Sequence, residues 1–86
     1  RAAWMADNKT PNSLEASMSK AKAGRTVTEV TNKAVEIGAT SAYAETELVE
    51  KWARDSKILD IFEGTQQIQQ LIIARRVLGK SSADLK

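Results

Sequence analysis

Eighty-six residues with 42% hydrophobic, 28% charged and 5% aromatic side chains form one domain at most. A chain this short buries only about 60–65% of its unfolded surface, so its own core is marginal, although it is too apolar for a disordered segment. Thirteen Lys and Arg interspersed with eleven Asp and Glu leave a net charge of +2, and no single-sign face marks nucleic acid or anionic lipid as a partner. The absence of Cys and His excludes, within the chain, a disulfide framework, a thiolate nucleophile, a Ser-His-Asp triad and a His-based metal centre.

The opening Arg1-Ala2-Ala3-Trp4-Met5-Ala6 reads as a helix over 1–7 that lacks a capping residue before it, and the chain is expected to be a piece of a longer protein. Thr10-Pro11 is a helix start signal, Thr as cap and Pro at the first helical position, and predicts a helix over 11–38. Leu14, Met18, Ala21, Val27, Val30, Ala34 and Ile37 form its expected inward stripe, which ends near Gly38. About 28 residues at 1.5 Å each make a rod of roughly 42 Å, which needs partners along its length. Ala16, Ala21, Ala23 and Gly24 keep part of that rod thin, so a neighbouring helix has room to come close.

Small residues at 39–42 connect to a predicted amphipathic helix over 46–57, with Leu48, Val49, Trp52 and Ala53 on one face. Glu45, Glu47 and Glu50 at its start and Lys51, Arg54 and Lys57 at its end suit the helix dipole, with i,i+4 pairs expected for Glu47–Lys51 and Glu50–Arg54. After a break over 59–64, a last helix is predicted over 66–78, with Ile68, Leu71, Ile72 and Leu78 inward and Gly79 as its stop. Residues 81–86 have little to bury and are expected to fray. Trp4 and Trp52 read as core anchors. The architecture expected is all-α, an up-and-down helical bundle that is incomplete as it stands. The longest apolar run, over 71–74, falls far short of the roughly 20 residues needed to span a bilayer.

Phe62-Glu63-Gly64-Thr65 is the stretch richest in chemistry. Ile58, Leu59, Ile61 and Phe62 supply a water-poor approach, Gly64 permits a tight turn and Thr65 caps the helix that follows. A carboxylate partly desolvated by such neighbours has a raised pKa, as a general base for a reluctant proton requires. The plainer reading is that Glu beside a helix start is favoured by the dipole alone. Asp55, Asp60 and Glu63 do not make a metal site, because Asp55 belongs to the exposed side of its helix. Lys20, Lys22 and Arg25, and likewise Arg75, Arg76 and Lys80, lack interleaved aromatic residues for base stacking and read as solvated faces. Gln66, Gln67, Gln69 and Gln70 read as helix-forming surface.

Trp52-Ala53-Arg54-Asp55-Ser56-Lys57-Ile58, followed by Ile61-Phe62-Glu63-Gly64-Thr65-Gln66-Gln67-Ile68-Gln69 and Leu71-Ile72-Ile73-Ala74-Arg75, resembles the C-terminal signature of the flavin-dependent acyl-CoA dehydrogenases. The opening Arg1-Ala2-Ala3-Trp4 and the segment from Ala16 through Lys20 to Gly24 look like the two preceding helices of that family's C-terminal helical domain, so the resemblance covers essentially the whole chain. It implies an enzyme that removes the α-proton of a fatty acyl-CoA while a hydride passes from the β-carbon to FAD, giving a trans-2-enoyl-CoA. It further implies Glu63 as the base, its backbone N–H on the thioester carbonyl, Gly64 against the acyl-CoA, and Thr65 and Gln67 in contact with FAD.

The family commonly carries Gln, two residues, then Gly-Gly in the loop that meets the adenine end of a neighbouring subunit's FAD. Here Glu36, Ala39 and Thr40 stand at those positions, so flavin contact by Glu36 and Thr40 would be differently built. The resemblance also implies a homo-oligomeric parent, an electron-transfer flavoprotein as redox partner, and a bacterial cytoplasm or mitochondrial matrix as location, with the isolated chain inactive. The alternative is a non-catalytic helical module for dimerisation or partner docking, derived from the same fold.

Overall fold

The computed structural model describes residues 1–85, and Lys86 lies outside the described residues. Among these residues the regular elements are α1 (Ala2–Asp7), α2 (Ser13–Ala42), α3 (Leu48–Leu59), α4 (Gln66–Leu78) and a final 3₁₀ turn (Ser82–Leu85), with no strand.

The link from α1 to α2 differs from the expectation at Thr10-Pro11. Lys9 takes a left-handed φ of 54°, its N–H donates to the Ala6 carbonyl at 3.0 Å, and the Thr10 N–H donates to the Met5 carbonyl at 2.8 Å. This pairing closes the C-terminal end of a helix, so Thr10 finishes α1 instead of starting α2. Asn12 takes the cap position of α2, and its side-chain amide donates to the Ala2 carbonyl at 2.9 Å, tying the two helices together.

Past residue 38 the helical path of α2 continues, broken once at Ala39 (φ 49°, ψ −135°), a conformation better suited to glycine. α3 begins two residues later than its pattern suggested, because Glu47 is extended (φ −99°, ψ 131°) and serves as the cap position. That removes Glu47 from helical register with Lys51. Lys51 pairs with Asp55 instead, and Arg54 pairs with Glu50 as expected, holding the Glu50 carboxyl below the usual carboxylate range. Both pairs are exposed and add little stability.

α4 is capped at both ends by the residues its sequence provides. Thr65 Oγ1 accepts from the Ile68 N–H at 3.3 Å, and Gly79 (φ 63°) lets the Lys80 N–H reach the Arg75 carbonyl at 2.9 Å. Beyond it, Asp84 accepts from the Ser81 N–H and hydroxyl at 2.8 and 2.7 Å, forming a turn where fraying was expected.

α2 is the spine. Gly24 lies against Leu59 and Asp60, and Thr31 Oγ1 donates to Ser56 Oγ at 3.1 Å, so α3 runs antiparallel to the C-terminal half of α2. Ala21 lies beside Gln66, and Ser13 shares a hollow with Ile72 and Arg75, so α4 continues in the same direction along the N-terminal half. The two helices therefore follow one another back along a rod of about 45 Å (30 residues at 1.5 Å).

The buried set is mostly small-sided, Ser17, Ala21, Gly24, Ala42 and Ser56, joined by Met5 and Gln69. The expected stripe is only partly inward. Met18 and Ile37 are 44% and 81% exposed, and Val30, Ile68, Leu71 and Leu78 also face outward, as do Trp4 and Trp52, which are not core anchors in this chain. Helices that approach through Ser, Ala and Gly leave no room for large side chains at the contact, so the bulky residues stand on the flanks.

A Cβ at Gly24 would come within 3.2 Å of the Leu59 carbonyl and 3.1 Å of the Asp60 Cα. Gly24→Ala is expected to lower stability by about 1–3 kcal/mol in urea unfolding, and an unchanged midpoint would contradict the close approach. Ala39→Gly has the opposite sign. Relief of the backbone strain outweighs the added unfolded-state freedom, and a gain of about 1 kcal/mol is expected in the same measurement.

Candidate active site at the joint of α3 and α4

The joint is a turn closed mainly by its own backbone. The N–H groups of Asp60, Ile61 and Phe62 donate to the carbonyls of Lys57, Ile58 and Ile58 at 3.2, 3.0 and 2.9 Å, and the Gln66 N–H donates to the Asp60 carbonyl at 3.2 Å. Inside that loop Glu63 and Gly64 are both left-handed, with φ of 55° and 102°. For Gly64 this costs little, whereas Glu63 stores strain that the surroundings must hold.

Two side chains hold it. Gln69, 8% exposed, donates from Nε2 to the Glu63 carbonyl at 3.3 Å, and a Cβ at Gly64 would run into that same amide nitrogen. From α2, the Lys20 ammonium donates to the Leu59 carbonyl at 2.7 Å and the Gly64 carbonyl at 3.1 Å, and lies 5.9 Å from the centre of the Phe62 ring. Gln66, with its amide oriented to satisfy its neighbours, adds donations to Asp60 Oδ1 at 3.0 Å and the Ala21 carbonyl at 3.1 Å.

The Glu63 side chain stands exposed at an open hollow of about 430 Å³ that Lys20, Ala23, Gly24, Val27, Leu59 and Phe62 also line. A second hollow, about 560 Å³ and bordered by Trp52 and Ile58, adjoins it through Val27 and Leu59. The expected water-poor approach is thus present in composition but open to solvent here. Ile58, Leu59, Ile61 and Phe62 are each about half exposed.

Thr65 and Gln67 occupy the first turn of α4, directly after Glu63 and Gly64, so these four residues are brought together. Thr65 Oγ1 accepts the capping bond, which leaves its hydroxyl proton to donate outward, and Gln67 is exposed. Glu36 and Thr40 do not join them. Glu36 lies 16 residues beyond Lys20, about 24 Å along the helix, and pairs with Lys33 at 2.8 Å, a bond that raises the Lys33 pKa.

Two residues at the site were not expected from the sequence: Lys20, read as a solvated cation, and Gln69, read as helix surface. The available signal for Lys20 was its place beside the thin Ala21 and Gly24 face. For Gln69 no local pattern separates it from Gln66, Gln67 and Gln70. The other basic group, Arg75, Arg76 and Lys80, lines an open hollow with Ser13 and Gly79, without an aromatic side chain.

Fold and site together define an all-α domain organised around one backbone-clamped carboxylate, with no group of three potential metal ligands among the described residues. The family model for the acyl-CoA dehydrogenase C-terminal domain matches residues 1–78, and the chain belongs to that family. A probable acyl-CoA dehydrogenase of Bacillus subtilis, YngJ, is 40% identical over 78 residues, which is 91% of this chain and 20% of the relative. The mitochondrial short-chain specific acyl-CoA dehydrogenases of Bos taurus and Homo sapiens are each 38% identical over the same share of this chain and 19% of their own length. The chain spans about a fifth of the curated relatives it matches.

Gly64→Ala meets both a left-handed backbone and the Gln69 amide, while Gly79→Ala meets only the backbone cost, since nothing lies within 4 Å of a Cβ there. Chemical denaturation should show a loss of about 1–2 kcal/mol for Gly79→Ala and a larger loss for Gly64→Ala. Equal losses would show that Gln69 does not pack against Gly64.

Proposed function

We propose that the chain is the C-terminal part of an acyl-CoA dehydrogenase and that Glu63 is the base that takes the α-proton of an acyl-CoA thioester. The observation that carries this reading is the strained turn. A residue held left-handed by two side chains from different helices, with its carboxylate over an apolar hollow, is over-determined in a way that a solvated surface Glu is not.

The residues present fit a flavin. The N-terminus of α4 offers partial positive charge to an anionic group, and Thr65 and Gln67 offer polar side chains on its first turn. A bound FAD would supply the hydride acceptor for the β-carbon, which balances loss of the α-proton to Glu63 and gives a trans-2-enoyl-CoA. Glu63 receives the α-proton on its carboxylate, and its backbone N–H is the donor for the thioester carbonyl, whose oxygen gains charge as the proton departs. Gly64, next to the base in the turn, borders the substrate. Glu36, about 24 Å beyond Lys20 along α2, and Thr40, past the break at Ala39, stand apart from Thr65 and Gln67 and would meet the flavin of a second subunit in a homo-oligomeric parent. An electron-transfer flavoprotein would be the partner that takes the electrons onward, and the 86-residue chain by itself is inactive.

The test is anaerobic bleaching of the oxidised-flavin absorbance by acyl-CoA in the full-length parent, for wild type and Glu63→Gln. Wild type should bleach, and the variant should bind flavin yet reduce it at least about 100-fold more slowly. Equal bleaching would place the base elsewhere. A wild type that holds no flavin would favour a non-catalytic docking module.

A further inference from the structure

Lys20 ties the turn to α2 with a single charged group. It reaches from the middle of the thin face of α2 and donates to two carbonyls on either side of Glu63, those of Leu59 and Gly64, at 2.7 and 3.1 Å. Leu59 is the last residue of α3 and Gly64 follows Glu63 directly, so the ammonium spans nearly the whole turn. The Phe62 ring, 5.9 Å away, shields it on one side. Charge-assisted bonds of this kind are stronger than neutral ones and fix the carbonyl directions. Rotation of the Gly64 peptide is what would release the left-handed pair, and that rotation breaks the Lys20 bond.

The third side of the arrangement is Gln69, which holds the Glu63 carbonyl at 3.3 Å. Gln69 sits on α4 and Lys20 on α2. The backbone N–H and the carboxylate of Glu63 are therefore oriented from two helices at once, and Lys20 reaches from the spine to carbonyls on both sides of Glu63, while Gln66 ties Asp60 to the Ala21 carbonyl of α2. Lys20 also lines the hollow over which the carboxylate stands, without being paired to any carboxylate in the structure's ion pairs among the described residues.

We propose that Lys20 is a positioning residue for Glu63: by clamping the Leu59 and Gly64 carbonyls it holds the turn in the conformation that aims the base and its N–H at the substrate. The proposal rests on the reading of Glu63 as the base. A displacement on the order of 1 Å at a reacting group costs about 100-fold in rate, so the loss of the clamp should appear in the chemical step and not in binding.

The test uses the full-length flavoprotein with Lys20→Met, Lys20→Gln and Lys20→Arg, alongside Glu63→Gln. Lys20→Met keeps the aliphatic stem and removes the donors. Its flavin content and KM should stay near wild type, while the rate of flavin reduction by acyl-CoA falls about 10- to 100-fold and the kinetic isotope effect of α-deuterated substrate rises. Lys20→Arg, which restores charge and donors, should recover part of the rate. Wild-type reduction rate and isotope effect in Lys20→Met overturn the proposal. Loss of flavin in both Lys20→Met and Lys20→Gln also overturns it, because Lys20 then holds the domain together and not the base. Glu63→Gln separates the two readings. If it is inactive while Lys20→Met is normal, only the Lys20 proposal fails, and if it is fully active, the assignment of the base itself fails.

Discussion

The structure depends on how closely α2 lets the joint of α3 and α4 approach. Two helices of 12 and 13 residues follow one another back along a spine of 30, and they need a place to change over. That place faces Ala21 and Gly24, where α2 has almost no side chain. The thin face permits backbone carbonyls of the joint to come within reach of a lysine on the spine, and the lysine in turn fixes a turn that would otherwise relax. Packing and site geometry are thus consequences of one small-residue contact.

The same contact explains the poverty of the core. Interiors built on large aliphatic side chains keep helices well apart, whereas this one brings them close and substitutes polar links such as Thr31 to Ser56 for hydrophobic volume. Bulky residues then collect on the flanks of α2 and along the outer sides of α3 and α4. Trp4, Ile37, Trp52 and Val77 are among the large apolar residues left exposed in this way.

Much of the fold is legible in the sequence where the signals are local. Thr65 as cap and Gly79 as stop bracket α4 because each acts through its own backbone geometry. Thr10-Pro11 misleads because the end of α1 competes for the same residues and the Lys9 turn takes them. The inward stripe of α2 is misjudged for a different reason. Periodicity ranks large apolar residues as core, and here close packing selects small ones. At the site, Glu63, Gly64 and Thr65 carry a recognisable string, but Lys20 lies 43 positions before Glu63 and its bonds go to main-chain carbonyls, which leave no trace in side-chain pattern. Gln69 is hidden among similar neighbours, and only the three-dimensional turn singles it out.

The paired left-handed residues at 63 and 64 also bear on how such a chain can change over generations. A substitution that straightens Glu63 draws its carbonyl away from Gln69 and the Gly64 carbonyl away from Lys20, which then keeps the Leu59 carbonyl alone. Each of the four is therefore costly to alter while the others remain. A descendant in which the turn itself opened would be freed at all four positions together, and the joint could drift as a block into an ordinary solvated loop.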